Sequence, residues 1–203
     1  QKQKYLPRIA SGELRLQAFA VTEQDAGTDT LSISTFAERQ GDRYVVNGKK
    51  IFISRVQHSD LMILLARTSR PEDVKKRTLG LSTFLVDLRE VGDSMKVRPV
   101  DTMINHETNE LFFDDMEIPA ESLIGEEGHG FSHILSGMNA ERILLGSESI
   151  GDALYFIGRS TQYAGERVVF DRPIGQNQGV QFPITRAYIA TQAAAAIRDK
   201  AAA

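Results

Sequence analysis

The sequence has 203 residues, of which 41% are hydrophobic, and a formal net charge of −3. This length is enough to bury a sizeable core, in one large domain or in two smaller ones. The charge balance provides no basic field for nucleic acid or for an anionic membrane surface. The sequence contains no Cys, which excludes disulfides, thiolate catalysis and cysteine metal sites. It has no secretory signal or long apolar run, so we expect a soluble intracellular protein.

Residues 1–15 have the pattern of a helix end followed by Pro7 and Gly12, and suggest that the chain begins inside a larger protein. Strand-like segments dominate residues 16–124, which predicts an antiparallel β-barrel or β-sandwich. The predicted strands are 16–21, 44–46, 51–53, 61–66, 79–86, 95–100, 110–113 and 116–118. The charged stretch 67–77 is interpreted as a solvated loop between strands.

The segment from Phe19 to Asp29 is the most informative part of the chain. Several carboxylates, a glycine and threonines follow directly after a strand there. This density of hydrogen-bonding groups indicates a binding loop, in which Gly27 allows a ligand to approach the backbone. The alternative is an ordinary solvated turn, since such turns are common.

Two dipeptides predict tight turns in the same region. Asn47-Gly48 lies between two apolar segments and favours a type I′ hairpin, because both central residues of that turn need a positive φ. Asp114-Asp115 also lies between apolar residues, and we interpret it as a hairpin turn rather than as an acid/base pair.

After Gly125 the spacing of the apolar residues changes to that of a helix. Residues 125–203 are therefore predicted to form the start of a helical bundle domain. Apolar residues recur every three or four positions from Phe131, which predicts a long helix to about Gly165. A second helix is expected from about Phe182, with Pro183 in its first turn, to the end of the chain. The predicted fold class is therefore α+β, with the β-domain followed by long helices of an incomplete bundle.

Two other patterns in the helical part are given structural interpretations. The glycine-rich segment 125–130 lacks the βαβ context of a nucleotide-binding loop, so we interpret it as a domain hinge. His129 and His133 have helical spacing, but no third ligand accompanies them, and no metal site is predicted.

Two motifs together carry a family resemblance. Phe19-Ala-Val-Thr-Glu-Gln-Asp-Ala-Gly-Thr-Asp29 followed by Asn47-Gly-Lys-Lys-Ile-Phe-Ile-Ser54 resembles the acyl-CoA dehydrogenase family of flavoenzymes. Further matches lie at Met103-Ile-Asn-His-Glu107 and at Arg167-Val-Val-Phe170. The family resemblance implies that an N-terminal helical domain and later C-terminal helices lie outside this stretch. Asp171 departs from the family pattern, because a Gly that could adopt positive φ commonly stands there.

The resemblance also implies a cofactor, a reaction and partners. Members of the family bind FAD, remove the Cα proton of an acyl-CoA with a base, and transfer the Cβ hydride to flavin N5, which gives a trans-2-enoyl-CoA. An electron-transfer flavoprotein then accepts the electrons. The implied assembly is a homo-oligomer, a tetramer built from dimers, in which Arg167 and Gln178 reach the cofactor of the neighbouring subunit. The implied location is the cytoplasm of a bacterium, or the mitochondrial matrix of a eukaryote.

The resemblance implies site residues at the positions of this sequence that match the family's motifs. The FAD contacts implied by the resemblance are Phe19, Val21, Thr22, Thr28, Phe52, Ile53, Ser54, Arg167, Phe170 and Gln178. Thr28 is also expected to touch the substrate, together with Asn139 and Arg142. Glu141 matches the base of a minority of members, which carry it on the first long helix.

Alternatives remain at both the residue and the protein level. Glu141 could be a surface residue in an i,i+4 ion pair, with the base in a later region. The enzyme could be an oxidase that passes electrons to oxygen. The chain could also be a flavin-free binding or oligomerising module without catalysis.

Overall fold

The structure is a computed structural model that describes residues 1–104 and 107–203. It confirms the α+β class, with three α-helices and ten short or long strands in the described residues. The helices are α1 (Lys2–Ala10), α2 (Gly130–Glu166) and α3 (Gln178–Ala202). The strands are β1 (Leu16–Ala20), β2 (Phe36–Gln40), β3 (Arg43–Ser54), β4 (Leu61–Arg67), β5 (Leu81–Asp87), β6 (Met95–Pro99), β7 (Thr108–Pro119), β8 (Leu123–Ile124), β9 (Val168–Val169) and β10 (Arg172–Pro173). The match at Met103-Ile-Asn-His-Glu107 lies partly outside the described residues.

The first eight strands form one sheet in the order β6-β7-β3-β2-β4-β5-β8, with β1 beside β4. β1 and β2 run parallel to β4, whereas the other neighbours in this sheet are antiparallel. The end strands β6 and β8 do not pair with each other in the described part of the chain, so the sheet is open rather than a closed barrel. Its largest core cluster includes Tyr44, Met62, Phe84 and Leu111, all 0% exposed.

The hairpin predicted at Asn47-Gly48 is wrong. β3 runs without interruption through both residues, and the hairpin lies instead between β2 and β3, where Gly41 has φ +67°. Gly48 is required for another reason: an added Cβ would lie 2.7 Å from the Cα of Thr35. The close approach of Thr35 to β3 therefore explains the glycine.

The hairpin predicted at Asp114-Asp115 is also wrong, because β7 is one continuous strand from Thr108 to Pro119. Asp115 has φ +48° and forms a β-bulge opposite Asn47. The Asn47 side chain donates to Asp115 Oδ1 at 2.8 Å, and the Asp115 backbone N–H donates to Asn47 Oδ1 at 2.9 Å. The two dipeptides that looked like separate turns thus form one cross-strand bulge.

Residues 1–135 and 136–203 form two compact units. In the first unit, the glycine-rich segment 125–130 packs on β5. The Gly128 N–H donates to Ser82 Oγ at 2.8 Å, and Thr83 Oγ1 donates to the Gly130 carbonyl at 3.0 Å. A Cβ on Gly130 would lie 2.5 Å from the backbone of Ser82. Close packing accounts for Gly130, and the hinge remains a prediction.

In the second unit, the short hairpin of β9 and β10 leads from α2 to α3. Phe170 and Asp171 form its turn with φ of +52° and +60°, so Asp171 adopts the conformation expected of the family glycine. α3 begins at Gln178, earlier than residue 182, and Pro183 therefore lies beyond its first turn. None of the helices in the described residues combines the length and apolar character needed to cross a membrane.

Candidate functional site

A buried carboxylate holds the loop that follows β1. Glu23 is 7% exposed and pairs with Ala26 across a tight turn. Its carboxylate accepts hydrogen bonds from the N–H (2.6 Å) and hydroxyl (2.8 Å) of Ser34 and from the Thr35 N–H (3.0 Å). These hydrogen bonds join the start of the loop, at Glu23, to its end, at Ser34 and Thr35.

Lys50 on β3 completes this anchor. Its side chain is 0% exposed, and Nζ donates to Glu23 Oε1 at 2.9 Å and to the Val21 carbonyl at 2.8 Å. Burial lowers the pKa of Lys50 to about 8, an effect that Glu23 opposes. Burial alone would raise the pKa of Glu23, but Lys50 and the donors of Ser34 and Thr35 outweigh it and lower that pKa to about 2. The pair is therefore ionised at neutral pH.

The residue between the two anchored positions is Thr22, which is partly exposed. Its carbonyl accepts a hydrogen bond from the Ile51 N–H at 2.9 Å, which fixes the loop to β3 from a second direction. The next residue, Phe52, lies in a β-bulge with φ +61° and is 59% exposed. A bulky residue rarely adopts a positive φ. Such strain is concentrated at functional sites, and here it turns an aromatic ring toward solvent.

Phe19 provides a second exposed aromatic ring on the same unit. It lies on the outer face of β1 and is 40% exposed. Arg55 Nε donates to Gln17 Oε1 at 2.9 Å, which joins this face of β1 to the end of β3. By contrast, Val21 (5% exposed) and Ile53 (2% exposed) have buried side chains, so contacts from these two positions would come from the main chain. Ser54, at the end of β3, is partly exposed.

The remainder of the loop, Gly27 to Asp29, is exposed. A Cβ on Gly27 would meet nothing within 4 Å, so no protein packing requires a glycine there. The Asp29 carboxylate accepts hydrogen bonds from Ser32 Oγ at 2.6 Å and from Arg77 at 2.9 Å, and these two partners lower its pKa. Thr28 is therefore an exposed hydroxyl next to an ordered carboxylate.

The predicted base and its neighbours lie on α2 in the second unit. Glu141 is exposed, and the residues four positions away on either side are Gly137 and Leu145, so an i,i+4 ion pair is not available to it. Arg142 Nη1 donates to Asn139 Oδ1 at 2.8 Å. The helix thus brings together two of the three residues predicted to touch substrate, Asn139 and Arg142.

The last three predicted FAD contacts lie around the short hairpin of the same unit. Arg167, Phe170 and Gln178 are all exposed, and Phe170 reaches 94%. The backbone of Arg167 is held by hydrogen bonds to the Tyr163 carbonyl and from the Ile174 N–H. Its guanidinium therefore extends from a fixed backbone.

Comparison with known protein families gives two matches. A model described as the middle domain of acyl-CoA dehydrogenase matches residues 18–116, and a model of the C-terminal domain of the same enzymes matches residues 128–203. The chain belongs to the acyl-CoA dehydrogenase family. The middle-domain match contains the loop anchored by Glu23 and Lys50, and the C-terminal match contains Glu141.

Individual known proteins match nearly the whole chain. A cyclohex-1-ene-1-carbonyl-CoA dehydrogenase of Syntrophus aciditrophicus is 37% identical over 96% of this chain and 46% of its own length. The glutaryl-coenzyme A dehydrogenase in complex with glutaryl-CoA is 31% identical with a TM-score of 0.86, over 99% of this chain and 50% of that one. A prolyl acyl carrier protein oxidase is 28% identical with a TM-score of 0.88, over 99% of this chain and 52% of that one. The chain spans about half the length of these relatives.

Sequence reasoning missed three structural residues of this site: Glu23, Lys50 and Arg67. Lys50 follows Tyr44 and Val46 at even spacing on β3, which places it on the buried face of the strand. A lysine on that face requires a buried partner, and this signal could have revealed the pair with Glu23. Arg67 was assigned to a solvated loop, but it is the last residue of β4 and is 5% exposed.

Proposed function

We propose that the protein to which this chain belongs is an FAD-dependent acyl-CoA dehydrogenase. One observation carries the proposal: the loop through Thr22 is fixed to β3 by the buried pair of Glu23 and Lys50, while Phe19 and Phe52 remain exposed. Removing two charged side chains from water costs free energy. A buried ion pair is therefore expected where a surface must be held in one arrangement. Two exposed aromatic rings on such a surface favour a flat, largely apolar ligand.

The residues of the β-domain fit an isoalloxazine ring. Phe19 and Phe52 would form an apolar wall, and the hydroxyls of Thr22 and Ser54 would serve the polar edge of the ring. Val21 and Ile53 would contribute through the main chain. When bound, FAD supplies the acceptor for the hydride that leaves Cβ of the acyl group.

The chain's own residues would handle the substrate. We assign Glu141 as the base that takes the proton from Cα onto its carboxylate. Arg142, oriented by Asn139, would hold the charged or polar groups around the thioester. The hydroxyl of Thr28 would contact the thioester or its pantetheine arm.

The proposed holoenzyme is a homo-oligomer. Arg167, Phe170 and Gln178 would complete the FAD site of a neighbouring subunit, where guanidinium has the fork geometry for phosphate oxygens. An electron-transfer flavoprotein is the proposed electron acceptor. These assignments extend the family membership to particular residues and partners.

The first test is made on the full-length protein. We expect a flavin absorbance spectrum after purification and anaerobic bleaching of that spectrum by an acyl-CoA. Glu141→Gln should retain FAD but reduce the rate of bleaching by about 10² to 10⁴, the scale of a positioned general base. Glu148→Gln, which removes another exposed carboxylate from α2, is the matched control. Unchanged bleaching in Glu141→Gln would place the base elsewhere, and absence of flavin would overturn the proposed function.

An oxidase is the second candidate, because a prolyl acyl carrier protein oxidase shares this fold over 99% of the chain. An oxidase would produce peroxide stoichiometrically during aerobic turnover. A dehydrogenase would bleach with substrate and transfer its electrons to an electron-transfer flavoprotein with little peroxide. Measurement of peroxide during turnover therefore separates the two.

A further inference from the structure

Arg55, which follows Ser54, is a second residue with left-handed backbone at the end of β3. It has φ +59°, three positions after Phe52 with φ +61°. Positive φ is unfavourable for side chains of this size, so both conformations require support from the surrounding structure. A short 3₁₀ turn at Val56–His58 follows directly, and Arg55 is its N-cap. The support of Arg55 therefore determines the path of the chain just after Phe52 and Ser54.

Glu107 holds Arg55 with both its main chain and its side chain. The Arg55 N–H donates to the Glu107 carbonyl at 2.9 Å, and Arg55 Nη1 lies 2.9 Å from Glu107 Oε2. The other carboxylate oxygen, Oε1, lies 3.1 Å from His58 Nε2. Arg55 Nε donates to Gln17 Oε1 at 2.9 Å, so the guanidinium is held at two of its nitrogens. One carboxylate thus connects the residue that begins the turn to the residue that ends it.

A buried amide fixes the backbone of Glu107 to the same part of β3. Asn109 is 0% exposed and lies opposite Ile53, where β3 and β7 shift register. Its Nδ2 donates to the Ile53 carbonyl at 3.1 Å and to the Glu107 carbonyl at 2.8 Å. Asn109 also exchanges hydrogen bonds with the side chain of Gln57 in the turn. Because one buried side chain holds both carbonyls, the backbone of Glu107 is fixed relative to a residue of the proposed flavin-binding segment.

We infer that Glu107 is a positioning residue of the flavin site, which acts through Arg55 on the segment Phe52–Ser54. The inference rests on the proposed function, which places that segment at the isoalloxazine ring. The side chains of Arg55 and Glu107 are 49% and 38% exposed, and ion pairs at such exposure contribute little to the stability of a fold. The pair can still hold a strained backbone in one arrangement. Loss of the carboxylate should therefore affect bound flavin more than the stability of the protein.

The test begins with Glu107→Gln, which removes the charge and keeps the size of the side chain. In the FAD-loaded full-length protein, we expect this variant to release FAD about tenfold faster on dilution, the scale of one hydrogen bond to a charged group. The rise in flavin fluorescence measures this release, and the flavin absorbance bands should shift. The urea midpoint of the FAD-free protein should stay close to that of wild type. Glu110→Gln is the matched control, because Glu110 also lies on β7 but pairs with Arg98 of β6.

A second set of variants tests whether Glu107 acts through Arg55. Glycine adopts a positive φ without strain and has no guanidinium for a carboxylate to hold. In an Arg55→Gly background, Glu107→Gln should therefore have no further effect on the release of FAD, and the two changes should be strongly coupled. An undiminished effect of Glu107→Gln in that background would mean that the carboxylate acts without Arg55, and would overturn the inference.

Three other results would overturn it as well. The first is release and absorbance of flavin in Glu107→Gln that equal those of wild type. The second is an equal effect of Glu110→Gln, which would assign the change to net charge. The third is a fall in the urea midpoint without FAD large enough to account for the faster release, which would make Glu107 merely structural. A wild type that contains no flavin would overturn the proposed function, and the inference with it, whereas each of these results in a flavin-containing wild type overturns the inference alone.

Discussion

At the scale of single residues, the buried pair of Glu23 and Lys50 fixes where the loop meets the sheet. One ammonium bonds the residue before Thr22 and the residue after it. Removing one partner of a buried pair leaves an uncompensated charge, which is more costly than replacing both. The pair therefore couples the stability of the β-domain to the position of Thr22.

Lys50→Met is expected to destabilise the protein by about 3 to 5 kcal/mol, because it leaves the Glu23 carboxylate buried without its cation. FAD retention should fall in the same variant, measured as flavin absorbance per folded protein. Lys49→Met changes the exposed neighbour on β3 and should leave the free energy of unfolding within about 0.5 kcal/mol of wild type. A Lys50→Met protein of wild-type stability would contradict the role of the pair.

Glu23 also predicts an acid dependence. Its pKa in the folded protein is about 2, compared with an ordinary value of 4.5. A carboxyl whose pKa is lowered by folding stabilises the protein fully above its unfolded pKa, and this contribution is lost as the pH falls through the folded pKa. The difference is on the order of 3 kcal/mol between about pH 4.5 and pH 2.

Urea denaturation between pH 5 and pH 2 measures this dependence. Glu23→Gln should flatten the stability curve in that window, although the variant is less stable at neutral pH because Lys50 loses its anion. A slope in Glu23→Gln equal to that of wild type would assign the acid dependence to other carboxylates.

At the scale of elements, the pattern of the sequence located most strands of the sheet but not β2 (Phe36–Gln40), and it did not reveal how the strands pair. Segments 110–113 and 116–118 were predicted as two strands, yet they belong to the single strand β7. The reason is nonlocal: Asn47 on β3 bonds the bulged Asp115, and a local pattern contains no information about that partner. The long helices and the exposed loop were predictable because they depend on local periodicity and on motif resemblance.

The glycines of β3 and of the loop allow a paired prediction. Gly48→Ala should destabilise the protein by about 1 to 3 kcal/mol, because the new Cβ would lie 2.6 to 2.9 Å from atoms of Thr35 at a φ of +143°. Gly27→Ala meets open space and should preserve the free energy of unfolding. If Gly27 serves a ligand, Gly27→Ala should nevertheless weaken FAD or thioester binding. Equal effects of both variants on unfolding would contradict the steric explanation of Gly48.

At the scale of the whole molecule, the helices of the second unit present an apolar surface. Its large exposed side chains include Leu144 (70%), Tyr155 (63%), Phe156 (64%), Phe170 (94%) and Ile197 (71%). Exposed apolar side chains in this number favour a surface that another protein element covers. In the proposed homo-oligomer, a neighbouring subunit would contact these side chains, and the exposed hairpin with Arg167 would lie at the FAD of that subunit.

Arg167→Ala tests this shared site. If Arg167 binds the FAD of the neighbouring subunit, the variant should have a weaker affinity for FAD, and its melting temperature should rise less on addition of FAD. A tenfold loss of affinity removes about 1.4 kcal/mol of stabilisation at saturating FAD. Thermal denaturation over a range of FAD concentrations, together with sedimentation of the oligomer, measures both effects.

Arg159→Ala is the control, because Arg159 is an exposed cation on α2 that bonds only its helical neighbour Gln162 among the hydrogen bonds of the described residues. The melting temperature of Arg159→Ala should rise on addition of FAD as much as that of the wild type. The shared site predicts that FAD stabilises the oligomer through Arg167, so loss of FAD affinity must be accompanied by earlier dissociation on dilution. An Arg167→Ala protein that binds FAD and sediments as the wild type does would contradict the role of Arg167 in a shared FAD site.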